Sequence, residues 1–261
     1  MKAIIIAALK GGVGKTTIAV GLAKALYMMG LRVGILDLDY RNPEVLIALG
    51  TANSSLGRTS SDGLVPPIIE GISVVSMAMI WPPTKAVLVE DENAILDVQQ
   101  LLTPGVIAWP ELDMLVYDSP PTSSGISVVA LTSPTVTGAV AVTQPSALSK
   151  AALLRTLDLF SEKQIPIYGI LSNQGMDEEG RQRYDLQDQD IIDLAARYGL
   201  PWCFCIPHTR DLTPHFDGLA QCILSTQPVL LAKPKEPQGV AWDKIITLAQ
   251  KLTGPTPSAK S

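Results

Sequence analysis

With 261 residues, 47% of them hydrophobic and 17% charged, the chain can bury a full core and has the size of one large α/β domain. A net charge of -5, with Lys and Arg scattered, leaves no basic stripe and argues against DNA or RNA as a direct partner. Three cysteines, an odd number, and no recognisable secretory signal point to a reducing compartment with free thiols, so a cytoplasmic location is expected.

The first apolar run, Ala3 to Ala8, passes straight into the loop KGGVGKTT without a small-residue cleavage site, and is therefore expected to be a strand. The loop, Lys10 to Thr17, has the G-K-[ST] ending of a phosphate cradle. Backbone N–H groups of Gly11, Gly12, Val13 and Gly14 would hold phosphates, with Lys15 on the β/γ-phosphates, the Thr16 hydroxyl on Mg²⁺ and Thr17 behind it. An amphipathic helix expected from Thr16 to Met29 would present its N-terminus to the anion. Two features are unusual. Lys10 adds a second lysine inside the loop, for which the plain alternative is a solvated surface lysine. Leu9 stands where the full motif has glycine, so its backbone should be extended rather than at positive φ.

Further apolar, β-branched runs follow at Arg32 to Leu36, Ile72 to Ser76, Met114 to Tyr117, Val136 to Val142, Ile167 to Leu171 and Trp202 to Ile206. They are continuous rather than alternating, as in parallel strands covered on both faces. Helical patterns at Ser146 to Phe160, Leu186 to Tyr198 and Gln238 to Leu252 separate or follow them. The expected fold is α/β: a doubly wound, mostly parallel sheet of about seven strands with helices on both faces, one domain over 1–252 and a short tail over 253–261. The charge-free stretch Ser119 to Ser149 contains Pro134 and many Ser and Thr, and lacks a continuous apolar span, so no membrane anchor is expected.

Ligands of such sheets bind beyond the carboxyl ends of the strands. The second run ends in Asp37-Leu38-Asp39, the fourth in Asp118-Ser119-Pro120-Pro121 and the sixth in Ser172-Asn173. Carboxylates there suit Mg²⁺, which takes hard oxygen ligands and keeps several waters. Solvent-facing turn formers are the alternative.

Taken with GILDLDYRNPEV, GISVVSMAM, ELDMLVYDSPP, VTQPSALS and GILSNQGM, the loop makes the chain resemble the deviant-Walker P-loop ATPases, the class of MinD, ParA, ArsA and the nitrogenase iron protein. Within it the chain is most similar to the Mrp/Nbp-type ATPases, whose best-known members carry iron–sulfur clusters. The resemblance implies ATP binding and hydrolysis by a homodimer closed around Mg-ATP, with an unidentified client protein as a further partner. It implies that Lys10 reaches the partner's nucleotide, that Asp39 orients the attacking water beside Asp37, and that Asp118 lies near Mg²⁺, often through water. Asn173 resembles the adenine reader, and Pro207 belongs to the loop packed on the base. The last helix, WDKIITLAQKL, is weakly charged, which argues against a MinD-type membrane attachment, so the alternative is a MinD/ParA-like regulatory or positioning ATPase acting on a protein partner. A metabolite ligase or kinase sharing the loop is a third reading; it would not need Lys10.

The chain departs from the family in two places. Thr122 takes the place of the second-switch glycine, which makes hydrolysis less secure than binding. The cluster-binding C-x-x-C is missing from GMDEEGRQRYDLQDQ. Cys203 and Cys205, with His208, form a C-x-C-x-x-H string whose thiols share one strand face; they are either cluster ligands or structural core cysteines. His215 and Asp217 are expected in a loop leading to the next helix.

Overall fold

The structure is a computed structural model that describes residues 1–51, 54–60, 63–80, 91–120 and 125–232, residues 91 and 92 without their side chains. One compact unit comprises Met1–Leu231. The helix expected at 238–252 and the tail at 253–261 lie outside the described residues, as does Thr122.

In chain order the elements are β1 (Lys2–Ala7), α1 (Lys15–Met28), β2 (Val33–Asp37), α2 (Val45–Ala48), β3 (Gly57–Arg58), β4 (Leu64–Val65), β5 (Ile68–Ile69), β6 (Ile72–Ser76), α3 (Met77–Ile80) and α4 (Asp91–Leu101). There follow β7 (Met114–Asp118), α5 (Gly125–Leu131), β8 (Gly138–Thr143), α6 (Ala147–Lys163), β9 (Ile167–Asn173), α7 (Asp188–Arg197), β10 (Cys203–Ile206) and α8 (Thr213–Ser225).

Among the described residues eight strands make the main sheet, in the order β10, β9, β8, β1, β7, β2, β6, β5. All neighbours are parallel except β5, a short strand folded back antiparallel on β6. The expectation of about seven strands omitted this two-residue edge, which is too short to give a pattern. Every residue of β2, β6, β7, β8 and β9 is buried, which is why those runs carry no polar alternation. Successive residues serve opposite faces: Ala3, Ile5 and Ala7 pack with α4, α5, α6 and α7, whereas Ile4 and Ile6 pack with α1, α2 and α8.

His215 lies in the first turn of α8 and Asp217 in the turn that follows it, not in a loop. Asp211 accepts from the Thr213 amide at 3.0 Å and Pro214 occupies the helix start, a combination that begins a helix rather than prolonging a turn.

The chain leaves β1 for β2 and later returns to insert β7 between them, then continues on the other side of β1 with β8. The carboxyl ends of β1, β7 and β2 therefore meet at the switch in strand order, with Ile6 in register with Asp118 and Asp118 in register with Asp37.

Candidate functional site

Between β1 and α1 the loop turns through Gly12 (φ 74°) and Gly14 (φ 95°), a region closed to most side chains. Among the described residues the non-glycine positions at positive φ are Glu70, Gln164 and Gln174; Leu9 is not one of them, so the departure from the full motif introduces no strain of that kind. Gly14 caps α1 without a side chain, and the first turn carries no acid. The helix N-terminus thus keeps its positive end and its amide donors for an anion. A Cβ on Gly14 would stand 2.5 Å from Asn173 Nδ2, so glycine is required for packing as well as for φ.

Lys15 is buried beside three carboxylates, and burial lowers its pKa against the raising effect of Asp118, then Asp39 and Glu44. Thr16 Oγ1 donates to Asp118 Oδ2 at 2.6 Å. The other oxygen, Asp118 Oδ1, is buried and finds no hydrogen-bond partner. Burial raises the Asp118 pKa to about 7, although the Thr16 hydrogen bond and the Lys15 charge pull it down. A half-buried hydroxyl and a buried carboxylate with one orphaned oxygen form a hard-oxygen donor set, and they fit a divalent cation that retains several waters.

Asp37, fully buried, accepts from the Ser76 hydroxyl at 2.7 Å, the Asp39 amide at 3.1 Å and the Val45 amide at 3.4 Å. Burial, followed by the charge of Asp118 in the next strand, raises its pKa to about 8. Asp39 is half-buried; its Oδ1 accepts from the amides of Arg41 and Asn42 at 3.2 and 3.1 Å, and burial raises its pKa. Asp37 is thus tied into the sheet, whereas Asp39 sits in the turn beyond it.

Asn173, at the end of β9, donates through Nδ2 to the Val13 carbonyl at 2.8 Å. It lines a narrow cleft with Thr17, Ile18, Pro207, His208 and Phe216. The loop, the end of β9 and the segment after β10 are therefore brought together. Lys10 is held by a different element: its Nζ donates to Ser149 Oγ at 2.9 Å, in the first turn of α6.

Cys203 and Cys205 are half-buried on β10, the edge strand next to β9. Hydrogen bonding between the two thiols raises the Cys203 pKa, with burial adding to it, and lowers that of Cys205. Among the described residues no three His, Cys, Asp or Glu side chains converge as metal ligands.

Glu44 and Ser76 beside the site, and Ser149 outside the cleft as the partner of Lys10, are polar residues that sequence reasoning passed over. Ser76 was accessible to the same argument as the acids, since it ends β6 next to Asp37. Ser149 had no such signal, because only the fold brings α6 to the loop.

A model of the NUBPL iron-transfer P-loop NTPases matches residues 1–248. An iron–sulfur cluster carrier protein of Rickettsia conorii is 28% identical over 216 residues, 83% of this chain and 64% of that protein. The chain thus spans less than two thirds of that relative. A nucleotide-binding protein from Archaeoglobus fulgidus, solved with ADP, is 25% identical with a TM-score of 0.66, covering 87% of this chain and 89% of its own. The septum site-determining protein MinD of Pyrococcus horikoshii, solved with Mg-ADP, shares the fold with a TM-score of 0.58 at 20% identity over 97% of both chains. No helix among the described residues is long and apolar enough to cross a membrane. With its phosphate loop, its strand order and a match over nearly its whole length, the chain belongs to the NUBPL iron-transfer P-loop NTPase family.

Proposed function

We propose that the chain binds Mg-ATP in the loop Lys10–Thr17, closes as a homodimer around it and hydrolyses it. The observation that carries this reading is the orphaned Asp118 Oδ1 beside the Thr16 hydroxyl and the buried Lys15. Thr16 and Asp118 are the residues that would hold Mg²⁺, Asp118 directly or through water; the cation supplies charge neutralisation to the phosphate oxygens. The backbone amides of residues 11–17 bind the phosphates. Lys15, whose neutral form is favoured by burial, is kept protonated by the anion it contacts.

Asp39 is the candidate for orienting the attacking water, because it lies beyond the sheet while Asp37 is consumed by internal hydrogen bonds. Asn173 reads the base with whatever its amide does not spend on Val13, and Pro207 covers one side of the cleft. Lys10 supplies a cation in trans to the second copy. A cation delivered in this way adds about 10³ to 10⁵ in rate in other phosphoryl-transfer enzymes.

The relatives named as iron–sulfur cluster carriers support delivery of a cluster to a client protein as the output of this switch. Cys203 and Cys205 form a pair rather than a ligand set, so no cluster step is assigned to them.

Light scattering and phosphate release, measured for wild type and Lys10→Ala with and without ATP and Mg²⁺, test the proposal. Wild type should dimerise and hydrolyse only with both, and Lys10→Ala should bind ATP but do neither. A wild type that stays monomeric in Mg-ATP, or a variant that behaves as wild type, overturns it.

A further inference from the structure

Lys10 cannot serve a second copy while it is bound in its own chain. Its ammonium donates to Ser149 Oγ at 2.9 Å, across 139 residues of sequence. Ser149 is 1% exposed, and its oxygen also accepts the Ser146 hydroxyl at 2.9 Å. Ser146 in turn caps α6, accepting from the Ser149 amide at 3.2 Å. The lysine therefore meets a fixed pair of hydroxyls rather than a mobile surface group.

The seat is directional but its electrostatics are poor. A helix N-terminus carries positive partial charge and prefers anions, and α6 has no acid in its first turn. Asp185 offsets part of this field by accepting from the Ala147 amide with both oxygens at 3.2 Å. A neutral hydroxyl at such a place holds an ammonium far less firmly than a polyphosphate would.

We propose that Ser149 is a positioning residue that seats Lys10 in the free chain, and that this seat competes with the engagement of Lys10 on the nucleotide of a second copy. This rests on the reading of Lys10 as the residue acting in trans. A binding-competent conformation populated only in part weakens apparent affinity by that fraction, so the seat sets the concentration at which Mg-ATP drives dimerisation. It would limit hydrolysis by isolated chains and let encounter with a second ATP-bound copy release the lysine.

The test measures the dimer dissociation constant in Mg-ATP by sedimentation, and hydrolysis against protein concentration, for wild type, Ser149→Ala, Lys10→Ala and the double variant. Losing the seat should tighten dimerisation about five-fold, the weight of one hydrogen bond, and shift the hydrolysis curve to lower protein concentration with the plateau rate unchanged. The effect must vanish in the Lys10→Ala background. Ser149→Cys, close in size and a weak acceptor, should act in the same direction and serves if Ser149→Ala does not fold. An unchanged or weakened dimer, or an effect that persists without Lys10, overturns the seat. Lys10→Ala dimerising and hydrolysing like wild type instead overturns the underlying reading of the lysine, whatever Ser149 does.

Discussion

The Thr16 hydroxyl donates a 2.6 Å hydrogen bond to Asp118 Oδ2, tying the first turn of α1 to the end of β7 over 102 residues of sequence. The loop and the strand-end acid are therefore one unit before any ligand arrives. That unit is built around carboxylates in an unfavourable place, and stability should record it.

Burial raises the pKa of Asp118 to about 7 and of Asp37 to about 8, from 3.8. An acid whose folded pKa is raised contributes stability that is fully present below the unfolded value and lost as pH climbs through the folded one. Without nucleotide and in chelator, the melting temperature should fall between pH 5 and pH 8. Asp113, held low by its hydrogen bonds to Arg32, acts only at more acidic pH and does not mask this. Asp118→Asn should flatten the profile, and should also weaken Mg²⁺-dependent ATP binding by at least ten-fold, the order expected for losing a charged ligand. Thermal melts from pH 5 to 9 decide the first point; an Asn variant with the wild-type slope would count against it.

Gly14→Ala should damage folding and binding together. Alanine at φ 95° costs about 1–2 kcal/mol, and the new methyl meets Asn173 Nδ2. Adding Asn173→Ala removes the collision but leaves the backbone strain, so the double variant should recover only part of the urea stability and none of the nucleotide affinity. Full recovery would show that contact alone, and not φ, requires the glycine.

The central strands were legible because burial on both faces removes polar alternation, leaving runs such as Val33–Asp37 and Gly138–Thr143. The loop was legible because chemistry and spacing coincide in eight adjacent residues. Helices α5 and α8 were not. The first is a short β-branched segment inside a charge-free stretch, and the second opens on Thr-Pro-His and carries Gly218, so both look like connections. Helix α4 did carry a signal, Ala94, Val98 and Leu101 at helical spacing. Within the site, residues belonging to one strand end could be found, but contacts made by chain crossing could not. The partnership of Lys10 with Ser149 depends on β8 lying beside β1, which no local pattern reveals.

The cysteine pair offers a chemical test of its own geometry. Hydrogen bonding from Cys203 lowers the pKa of Cys205 and raises that of Cys203. Since the thiolate is the nucleophile, limited iodoacetamide should label Cys205 first, read by peptide mass spectrometry. In Cys205→Ala, Cys203 loses the largest cause of its raised pKa and should react faster than in wild type, although burial still holds it back. Labelling of Cys203 ahead of Cys205 would contradict the assignment of donor and acceptor.

Gly21 and Phe216 link the helix that carries the loop to the helix that follows the Pro207 segment. A Cβ on Gly21 would fall against the Phe216 ring, which is buried between α1 and α8. Alanine in a helix interior gains about 1 kcal/mol over glycine, whereas overpacking a filled core costs about 1–3 kcal/mol, so Gly21→Ala should be neutral to destabilising despite its better propensity. Phe216→Leu makes room, and the double variant should be more stable than the sum of the single changes predicts, by about 1 kcal/mol of coupling. Phe216 and Leu212 also line the cleft beside Asn173, so displacing the ring in Gly21→Ala should speed nucleotide dissociation. Urea unfolding and stopped-flow release of a fluorescent nucleotide, made on the same four proteins, separate the two effects: additive stabilities would remove the packing argument, and unchanged release would confine it to the core.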